Sequence, residues 1–325
     1  MSGAKPRITL LAGGVGGAKL AVGLAAVCPP DQLTVIGNVA DDQEFHGLWV
    51  SPDIDTLTYS LAGLIDRDKG WGLADESHRV LDGLTRLGRE TWMYLGDQDL
   101  ATHIYRTELR RQGIRPSAIA QSIAQSLGVT LNLLLPTDDR LQTRIKTEAG
   151  WLAFQEYFVR EQCRPEVLDI RIDGLAEARP TPEALAAIER ADLLLIAPSN
   201  PVVSIAPILE IPGMRQAVER SRARRLAVSP LIGGRTVKGP ADRMLVAAGV
   251  ACSNLGVADS YARLIDGLVI DAQDAGDAAA LAERGLEVRV TRTLMTDTAD
   301  KARLAREVLA FAGLPHPQDE VLPCP

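Results

Sequence analysis

Cysteine and aromatic residues are scarce in this chain of 325 residues, and the cysteine pattern narrows the class of protein. The four cysteines, Cys28, Cys163, Cys252 and Cys324, are scattered singly along the sequence. They show neither the spacing of metal ligands nor the pattern of a disulfide framework, which is typical of a reducing compartment. We therefore expect a cytoplasmic protein.

Long apolar runs and an excess of positive charge are also missing. No uninterrupted apolar segment is long enough to cross a bilayer, and the first residues do not resemble a cleavable leader. The formal net charge of -7 at pH 7 argues against a surface for nucleic acid or anionic membrane. We expect small-molecule substrates, with neither nucleic acid nor membrane as a partner.

Several catalytic signatures are absent from the sequence. It contains no Gly-x-Ser-x-Gly elbow, no His-Glu-x-x-His helix and no Cys–His spacing, which disfavours a covalent nucleophile or a catalytic zinc. His46 and His78 stand alone, with no neighbours that suggest chemistry.

The most informative segment that is present is Ile8–Lys19, ITLLAGGVGGAK. An apolar strand-like run leads into clustered glycines and then into a helix-forming segment, Leu20–Ala26. Such an arrangement makes an anion site, because backbone N–H groups and the positive end of the helix dipole point at a ligand above the turn. Glycine lets the backbone approach a phosphate closely. The candidate phosphate-binding residues are Gly13, Gly14, Gly16, Gly17 and Lys19.

Two familiar phosphate-binding templates fit this segment only in part. Gly14 and Gly16 supply the first positions of Gly-x-Gly-x-x-Gly, but the third position is Lys19. A Walker A loop requires Ser or Thr after its lysine, whereas Leu20 follows here. The alternative is an ordinary glycine-rich turn with a solvated lysine.

Apolar strand-like runs alternate with helical patterns along much of the chain. This alternation predicts an α/β fold with a Rossmann-like, mostly parallel sheet covered by helices. The predicted strands after the first are Leu33–Asn38, Leu193–Ala197, Leu226–Ser229, Leu268–Ile270 and Glu287–Val290.

The middle of the chain has a different pattern. Residues 56–130 look mainly helical and predict an insertion over the C-terminal edge of the sheet. Residues 314–325 form a proline-rich tail. We expect a single α/β domain over residues 1–325, with this insertion as a subdomain.

Carboxylates cluster after the second predicted strand, where ligands of open parallel sheets bind. So many negative charges in a short region repel one another unless a cation is present, and Mg²⁺ prefers oxygen ligands shared between carboxylates and phosphates. The alternative is that Asp55 or Thr56 caps the following helix. The cluster consists of Asn38, Asp41, Asp42, Asp53, Asp55 and Thr56.

A second polar group lies in the segment LGDQDLATHIYR. His103 and Arg106 are three residues apart and would share a helix face, close to Asp97 and Asp99. This group suits acid–base chemistry or the clamping of a phosphate. A capped helix with a surface salt bridge explains the pattern equally well.

Two later loops follow predicted strands at the same edge of the sheet. One contains Ser199 and Asn200 between two prolines, and the other contains Ser229. These side chains are well placed to contact a base, a ribose or a phosphate, although turn chemistry alone also explains them. Together with the glycine turn, the loops favour one cleft with an anion site at one end and carboxylates at another.

These motifs, in this order, resemble the 2-phospho-L-lactate transferase family of coenzyme F-420 biosynthesis. The resemblance runs from residue 8 to residue 297 and is far more specific than the glycine turn alone. One departure is Gln98, where the family pattern has a basic residue. The matching segments are LAGGVGGAK, GNVADD, HGLWVSPDIDT, Gly70-Trp71-Gly72, LGDQDLATHIYRT, LLPTDDR, FQEYFVR, APSNPVVSI, VSPLIGG and LMTD.

The resemblance implies a magnesium-dependent transfer onto the deazaflavin Fo (8-hydroxy-5-deazariboflavin). The family's donor is a guanosine diphosphate that carries a small acid, either lactyl, enolpyruvyl or glyceryl. The terminal ribityl hydroxyl of Fo attacks the phosphorus that bears the acid, GMP leaves, and F-420-0 or an analogue forms. Phosphoryl transfer needs alignment and charge neutralisation more than covalent help, which suits the residues above.

The resemblance also implies roles for the candidate residues. The glycine amides and Lys19 hold the diphosphate, Ser199, Asn200 and Ser229 contact the guanosine, and His103 and Arg106 lie near Fo and the acid. Asn38, Thr56 and Asp97 are further candidate substrate contacts. The expected Mg²⁺ ligands are Asp42 and Asp55, followed by Asp41 and Asp53, one of which would instead orient or deprotonate the attacking hydroxyl. The expected catalytic residues are Asp53, Asp55 and His103.

Two other functions stay open at this point. A regulatory protein of the family's non-transferase branch would bind a nucleotide sugar with the same glycine turn, but would not need the carboxylate clusters. An NAD(P)-dependent oxidoreductase is weakened by the missing third glycine. A homodimer is expected, since it is the commonest assembly of cytosolic enzymes.

Overall fold

The structure is a computed structural model that describes residues 5–237 and 239–314. The strands are β1 (Ile8–Ala12), β2 (Leu33–Gly37), β3 (Gln43–Phe45), β4 (Leu48–Val50), β5 (Asn132–Leu134), β6 (Gln142–Thr147), β7 (Gly150–Ala153), β8 (Asp169–Asp173), β9 (Leu193–Ile196), β10 (Arg224–Val228), β11 (Leu231–Ile232), β12 (Arg235–Thr236), β13 (Gly267–Asp271) and β14 (Glu287–Thr291). The α-helices are α1 (Gly14–Ala25), α2 (Pro52–Leu61), α3 (Arg79–Arg86), α4 (Asp97–Arg111), α5 (Pro116–Ser126), α6 (Pro182–Arg190), α7 (Ala206–Leu209), α8 (Met214–Arg220), α9 (Ala241–Ala247), α10 (Asn254–Ser260), α11 (Ala278–Glu283) and α12 (Thr298–Phe311). Two π-helical turns, Glu156–Arg160 and Pro201–Ile205, and two 3₁₀ segments, Pro30–Gln32 and Ala272–Asp277, complete the described elements.

Seven strands form a central sheet in the order β14-β13-β10-β9-β1-β2-β5. Every neighbouring pair in it is parallel. In β1, Ile8 aligns with Leu33 of β2 on one side and with Leu193 of β9 on the other. The predicted fold class, a mostly parallel sheet covered by helices, is therefore confirmed.

The apolar runs of β1, β2, β9 and β13 are buried in the core, whereas the edge strand β14 is mostly exposed. All residues of β1 and of β13 are buried, as expected for parallel strands with helices on both sides. Helix α1 packs against α2 and α12, and its Gly23 permits this, since a Cβ there would lie 2.3 Å from the Lys301 carbonyl oxygen. The first glycine-rich helix is thereby fixed over the sheet.

Helices α2–α5 lie between β2 and β5, in the segment where the sequence predicts a helical insertion. The division into a domain and an insertion stays a prediction. Apart from Leu314, the predicted tail, and with it Cys324, lies outside the described residues. Within the described ranges, no helix is both long and apolar enough to cross a membrane.

A second, antiparallel sheet has the strand order β7-β6-β8 and is not predicted by any apolar run in the sequence. Strand β6 alternates buried residues with the charged Arg144 and Lys146, so it lacks the apolar run that marks the parallel strands. Arg171 and Lys146 lie over the ring of Trp151, which covers part of this small sheet. Residues directly after β7 contribute to the site.

Candidate active site

A cavity of about 540 Å³ opens where the parallel strands end at their C-termini. It is lined by Gly13 after β1, Asp41 after β2, Ser199 after β9, Ser229 after β10 and Thr293 after β14. Ligands of open parallel sheets bind at this edge. The segments in which the sequence predicts function therefore converge on one cavity.

The glycines after β1 form the first turn of α1 rather than a loop before it. The sequence predicts the helix from Leu20, whereas α1 begins at Gly14, which has a φ of +61°. Gly16 allows the loop after β9 to approach, because a Cβ there would lie 2.2 Å from the Pro198 carbonyl oxygen. The glycines are thus required by backbone geometry and by close packing.

Ser199 holds the start of this turn. Its hydroxyl donates to the Gly13 carbonyl oxygen at 2.7 Å and accepts from the Gly13 N–H at 3.1 Å. A Cβ on Gly17 would lie 2.8 Å from the same Oγ. The Ser199 hydroxyl is therefore engaged with the backbone and positions the glycine turn.

Asp53 lies at the N-terminus of α1. A Cβ on Gly13 would come within 2.6 Å of Asp53 Oδ2, and Asn38 Nδ2 donates to the same oxygen at 2.9 Å. Burial raises the pKa of Asp53 to about 6, against the lowering effect of hydrogen bonds from Asn38 and the Gly14 N–H. Since a helix N-terminus leaves its first N–H groups without partners in the helix, the two amides after Gly14 remain for a ligand.

Lys19 adds a positive charge to the same end of the cavity. It lines the cavity from the second turn of α1, and its Nζ donates to the Met295 carbonyl oxygen at 2.8 Å. Met295 also lines the cavity, after β14. An anion bound at the N-terminus of α1 would lie near both a helix dipole and an ammonium group.

Asp41 faces the cavity in surroundings that disfavour its charge. Burial raises the pKa of Asp41 well above its usual value, and the negative charges of Asp53 and Asp42 raise it further. Asn38 and Thr143 offset part of this rise, although Asp41 Oδ1 is buried without a well-formed hydrogen bond. A cation bound beside Asp41 and Asp53 would relieve this repulsion.

Asp42 is buried but is not among the residues that line the cavity. Its Oδ2 accepts from Ser51 Oγ at 2.7 Å and from Trp49 Nε1 at 3.0 Å. Burial raises the pKa of Asp42 to about 7, and Ser51 and Arg106 offset part of the rise. These contacts connect the residue to β4 and to the start of α2.

A buried ion-pair network joins α2 to α4. Arg106 Nη1 donates to Asp55 Oδ2 at 3.1 Å, and Nη2 contacts the other oxygen of Asp55. The same Nη1 lies 3.1 Å from His103 Nδ1. His103 Nε2 lies 3.2 Å from Asp99 Oδ2, in an ion-pair contact rather than a well-aligned hydrogen bond. Tyr59 Oη donates to Asp99 Oδ1 at 2.7 Å.

The network presents only some of its members to the cavity. Asp55, Asp99 and Tyr59 line it, whereas His103 and Arg106 lie behind them. Burial tends to raise the pKa of Asp99, but the contact with His103 lowers it below its usual value. His103 and Arg106 therefore position Asp99 and Asp55 at the cavity.

Asp55, Asp99 and His103 could hold a metal ion, since each offers a ligand atom and these atoms lie within 4.8 Å of one another. The guanidinium of Arg106 already contacts both oxygens of Asp55 and approaches His103 Nδ1. A cation here would have to compete with that guanidinium. Asp41 and Asp53 offer a site without this competition.

The remaining predicted site residues are placed unequally. Thr56 and Asn200 reach the cavity, and Asn200 Oδ1 caps the turn Pro201–Ile205 by accepting from the Val202 N–H at 2.9 Å. Ser229 also lines the cavity, but its hydroxyl donates to Asn254 Oδ1 at 2.6 Å. Asp97 is exposed outside the cavity, where it accepts hydrogen bonds from the N–H and the hydroxyl of Ser77.

Sequence reasoning misses the aromatic half of the cavity. Tyr59 lies in α2, and the others come from the segment before α3, the segment before α4 and the residues after β7, none of which follows a strand of the parallel sheet. The segments GWG and FQEYFVR contain some of them, but nothing in the spacing indicates a common wall. The residues are Tyr59, Trp71, Tyr94, Phe154, Gln155 and Phe158.

The family described as 2-phospho-L-lactate transferase CofD has a sequence profile that matches residues 8–310 of this chain. The chain belongs to the CofD family. The match includes the glycine turn, both carboxylate groups and the loops after β9 and β10, so the resemblance seen in the sequence is confirmed. The protein is a member of a transferase family.

Individual CofD relatives are similar over nearly their whole length. A phosphoenolpyruvate transferase from Kitasatospora aureofaciens is 42% identical over 313 residues, which cover 94% of this chain and 98% of the relative. A 2-phospho-L-lactate transferase from Methanococcoides burtonii is 37% identical over 306 residues, covering 94% and 99%. Both names describe transferases of small phosphorylated acids.

A solved structure with the same fold is a protein of the UPF0052 family from Bacillus halodurans. Its TM-score to this CofD chain is 0.61 at 17% sequence identity, with 94% of this chain and 99% of that chain covered. At such low identity the likeness concerns the fold alone.

Proposed function

We propose that this protein is a transferase of coenzyme F-420 biosynthesis. It moves a 2-phospholactate, phosphoenolpyruvate or phosphoglycerate moiety from a guanosine-diphosphate-linked donor to the ribityl hydroxyl of Fo, and releases GMP. One observation carries the proposal: a single cavity contains the N-terminus of α1, Lys19 and two carboxylates that repel each other, Asp41 and Asp53. Cleavage of a diphosphate requires groups that bind an anion together with groups that bind a cation.

The donor diphosphate binds the free amides of the first turn of α1 and the Lys19 ammonium. The helix N-terminus has a partial positive charge and the ammonium has a full one. Both lie at the strand ends, where nucleotides bind in open α/β sheets. Asn200 and Thr56 offer polar atoms to the donor beside them. Ser199 and Ser229 contribute by shaping the loops that surround the guanosine, because their hydroxyls bond within the protein.

The carboxylates fit a bound Mg²⁺. Asp41 has a buried oxygen without a partner of good geometry, and the pKa values of Asp41 and Asp53 are both raised by burial. We assign Asp41 as the protein ligand, with Asp53 beside it; Asp42 and Asp55, expected from the sequence, hold Trp49 and Arg106 instead. Bound there, Mg²⁺ would neutralise charge on the diphosphate and on the departing GMP.

The chemical step needs a proton acceptor near the diphosphate. The Fo hydroxyl oxygen bonds to the phosphorus that bears the small acid, and the bond from that phosphorus to the bridging oxygen breaks, so GMP leaves with that oxygen. We assign Asp53 to take the hydroxyl proton, because its carboxylate lies at the N-terminus of α1, where we place the diphosphate. Asp55, fixed by Arg106 and His103, orients the hydroxyl.

The aromatic half of the cavity provides a place for the acceptor. Trp71, Tyr94 and Phe158 are partly exposed although they line the cavity, so a flat ring system can pack against them. Fo is such a ring system with a flexible polyol chain. With its ring against this wall, the chain can extend to the carboxylates at the centre.

The decisive experiment is an incubation of the purified protein with Fo, Mg²⁺ and each of the three guanosine donors, followed by mass analysis. We expect a phosphodiester of Fo with at least one donor, no product in chelator, and a loss of about a hundredfold or more in Asp53→Asn. Asp31→Asn, a change on an exposed turn, serves as the control and should retain activity. Binding of nucleotide sugars without transfer from any donor would instead favour the regulatory alternative.

The proposal includes two expectations about the protein in the cell. We expect a cytoplasmic location and a homodimer. Cell fractionation tests the first and light scattering after size-exclusion chromatography tests the second.

A further inference from the structure

Gln155 is a buried polar residue whose carboxamide has no hydrogen-bond partner among the residues that the structure describes. The residue is 5% exposed and lines the cavity directly after β7. Its side chain makes no hydrogen bond to any residue in the described ranges, and its polar atoms are not sealed inside the protein. A carboxamide in this state offers one acceptor and two donor hydrogens to a ligand in the cavity.

Two aromatic residues close to Gln155 in the sequence also line the cavity. Phe154 and Phe158 stack with centroids 5.6 Å apart and an angle of 6° between their planes, and both line the cavity. A flat face beside an amide that both donates and accepts is how proteins bind flat heteroaromatic rings, by stacking on the face and hydrogen bonding to the edge. Gln155 is therefore suited to a ring edge with a donor next to an acceptor.

The position of Gln155 assigns it to the acceptor half of the cavity. The turn Glu156–Arg160 follows Gln155 and contacts the segment before α4, because Arg160 Nη2 forms a salt bridge with Glu90 Oε1 at 3.3 Å. That segment supplies Met93 and Tyr94 to the cavity lining. The diphosphate groups, in contrast, come from α1 and from loops of the parallel sheet.

The residue before Gln155 connects this part of the cavity to the residues that hold Asp53. Phe154 packs in a cluster with Val203, and the carbonyl oxygen of Val203 accepts from Asn38 Nδ2 at 3.3 Å. Asn38 in turn holds Asp53. A ring held by Gln155 therefore has its substituents within the same cavity as the carboxylates.

We infer that Gln155 is a specificity-determining residue that hydrogen-bonds the pyrimidinedione edge of the acceptor ring while Phe158 packs against its face. The ring N–H donates to Oε1, and the adjacent ring carbonyl accepts from Nε2. The inference rests on the proposed function for the identity of the acceptor as Fo. It requires only a pyrimidinedione ring for the contact itself.

The test compares Gln155→Met, which keeps the length and loses both hydrogen-bonding groups, with Gln125→Met, the same change on the exposed face of α5. Equilibrium binding is measured by fluorescence with Fo and with lumichrome, a pyrimidinedione tricycle without the ribityl chain, and by calorimetry with GDP. We expect Gln155→Met to bind Fo and lumichrome about tenfold more weakly, as for loss of one to two neutral hydrogen bonds, with GDP unchanged. Gln125→Met should match the wild type for all three.

A second ligand sharpens the assignment to the ring edge. Lumichrome methylated at the imide nitrogen cannot donate that hydrogen bond, so the wild type should bind it about as weakly as Gln155→Met binds lumichrome. The variant should discriminate little between the two ligands. Equal thermal stability of the two Met variants would exclude a general loss of folding as the cause.

The possible failures are distinguishable. If the wild type transfers the acid to Fo but Gln155→Met binds Fo normally, or loses GDP affinity instead, the inference is wrong and the proposed function stands. If no transfer occurs but lumichrome affinity falls in Gln155→Met alone, the inference stands and the proposed function is wrong. A wild type that binds neither Fo nor lumichrome overturns the inference.

Discussion

Arg106 and Asp55 form a buried ion pair in which the guanidinium contacts both carboxylate oxygens. Asp55 lies in the first turn of α2, and Arg106 lies in α4, 51 residues later. Arg106 also approaches His103 Nδ1 and the Trp49 carbonyl oxygen. The Arg106 guanidinium thus connects α2 to α4 on the side of the cavity that carries Asp55 and Asp99.

Removal of Arg106 should destabilise the protein strongly. Arg106→Met leaves the Asp55 carboxylate buried without its partner, so the free energy of unfolding in urea should fall by about 3–5 kcal/mol. Arg111→Met, on an exposed part of the same helix, should cost less than about 1 kcal/mol. The double variant Asp55→Asn/Arg106→Met should recover part of the loss, and strict additivity of the two changes would contradict the pairing.

The glycines of the first turn of α1 should not tolerate a side chain. A Cβ in Gly16→Ala would lie 2.2 Å from the Pro198 carbonyl oxygen, so α1 must move away from the loop after β9. We expect a loss of about 1–3 kcal/mol in stability and weaker binding of GDP in calorimetry. Gly83→Ala in α3, where the nearest atom is the Arg86 Nη2 at 3.9 Å, should stabilise the protein by up to about 1 kcal/mol.

The fold was largely predictable from the sequence because the central parallel strands contain buried apolar runs. Leu193–Ile196 and Gly267–Asp271 are buried runs that no other element type explains as well. Strand β6 was missed because Ile145 is its only apolar residue and is flanked by Arg144 and Lys146. A half-exposed strand of this kind is recognised only through its partners.

The site was predictable as a region but not as a set of contacts. The sequence places Asp41, Asp42, Asp53 and Asp55 at one edge of the sheet, and the structure agrees that they lie close together. Which of them meets Arg106 depends on how α4 packs, and no spacing rule contains that information. For the same reason, the sequence does not indicate that aromatic residues from three separate segments line one side of the cavity.

The contribution of Asp42 to stability should fall as the pH rises through the acidic range. The pKa of Asp42 is about 7 in the folded protein, against 3.8 for the ordinary group, so this residue binds more protons in the folded state between about pH 4 and pH 7. The part of the free energy of unfolding that depends on Asp42 therefore decreases across this window and levels off above it. In Asp42→Asn, measured in chelator, this decrease should be smaller, and the variant should gain relative to the wild type above pH 7. An unchanged pH profile would contradict the raised pKa.

Mg²⁺ should stabilise the folded protein through Asp41. At a Mg²⁺ concentration a hundred times its dissociation constant, the free energy of unfolding should rise by about 2.7 kcal/mol, with a higher Tm. Asp41→Asn should lose this shift, while Asp31→Asn keeps it. If Asp99→Asn abolishes the shift and Asp41→Asn does not, the ion binds at Asp55, Asp99 and His103 instead.

The bond between Gly13 and Ser199 joins residues that are 186 positions apart in the chain. The anion site therefore cannot be complete until β9 has taken its place beside β1, after more than half of the polypeptide has been synthesised. A nascent or truncated chain that ends before Ser199 would carry every glycine of the turn and still lack the complete nucleotide site proposed above. Retention on an immobilised guanine nucleotide would thus report on completed folding rather than on the presence of the N-terminal segment.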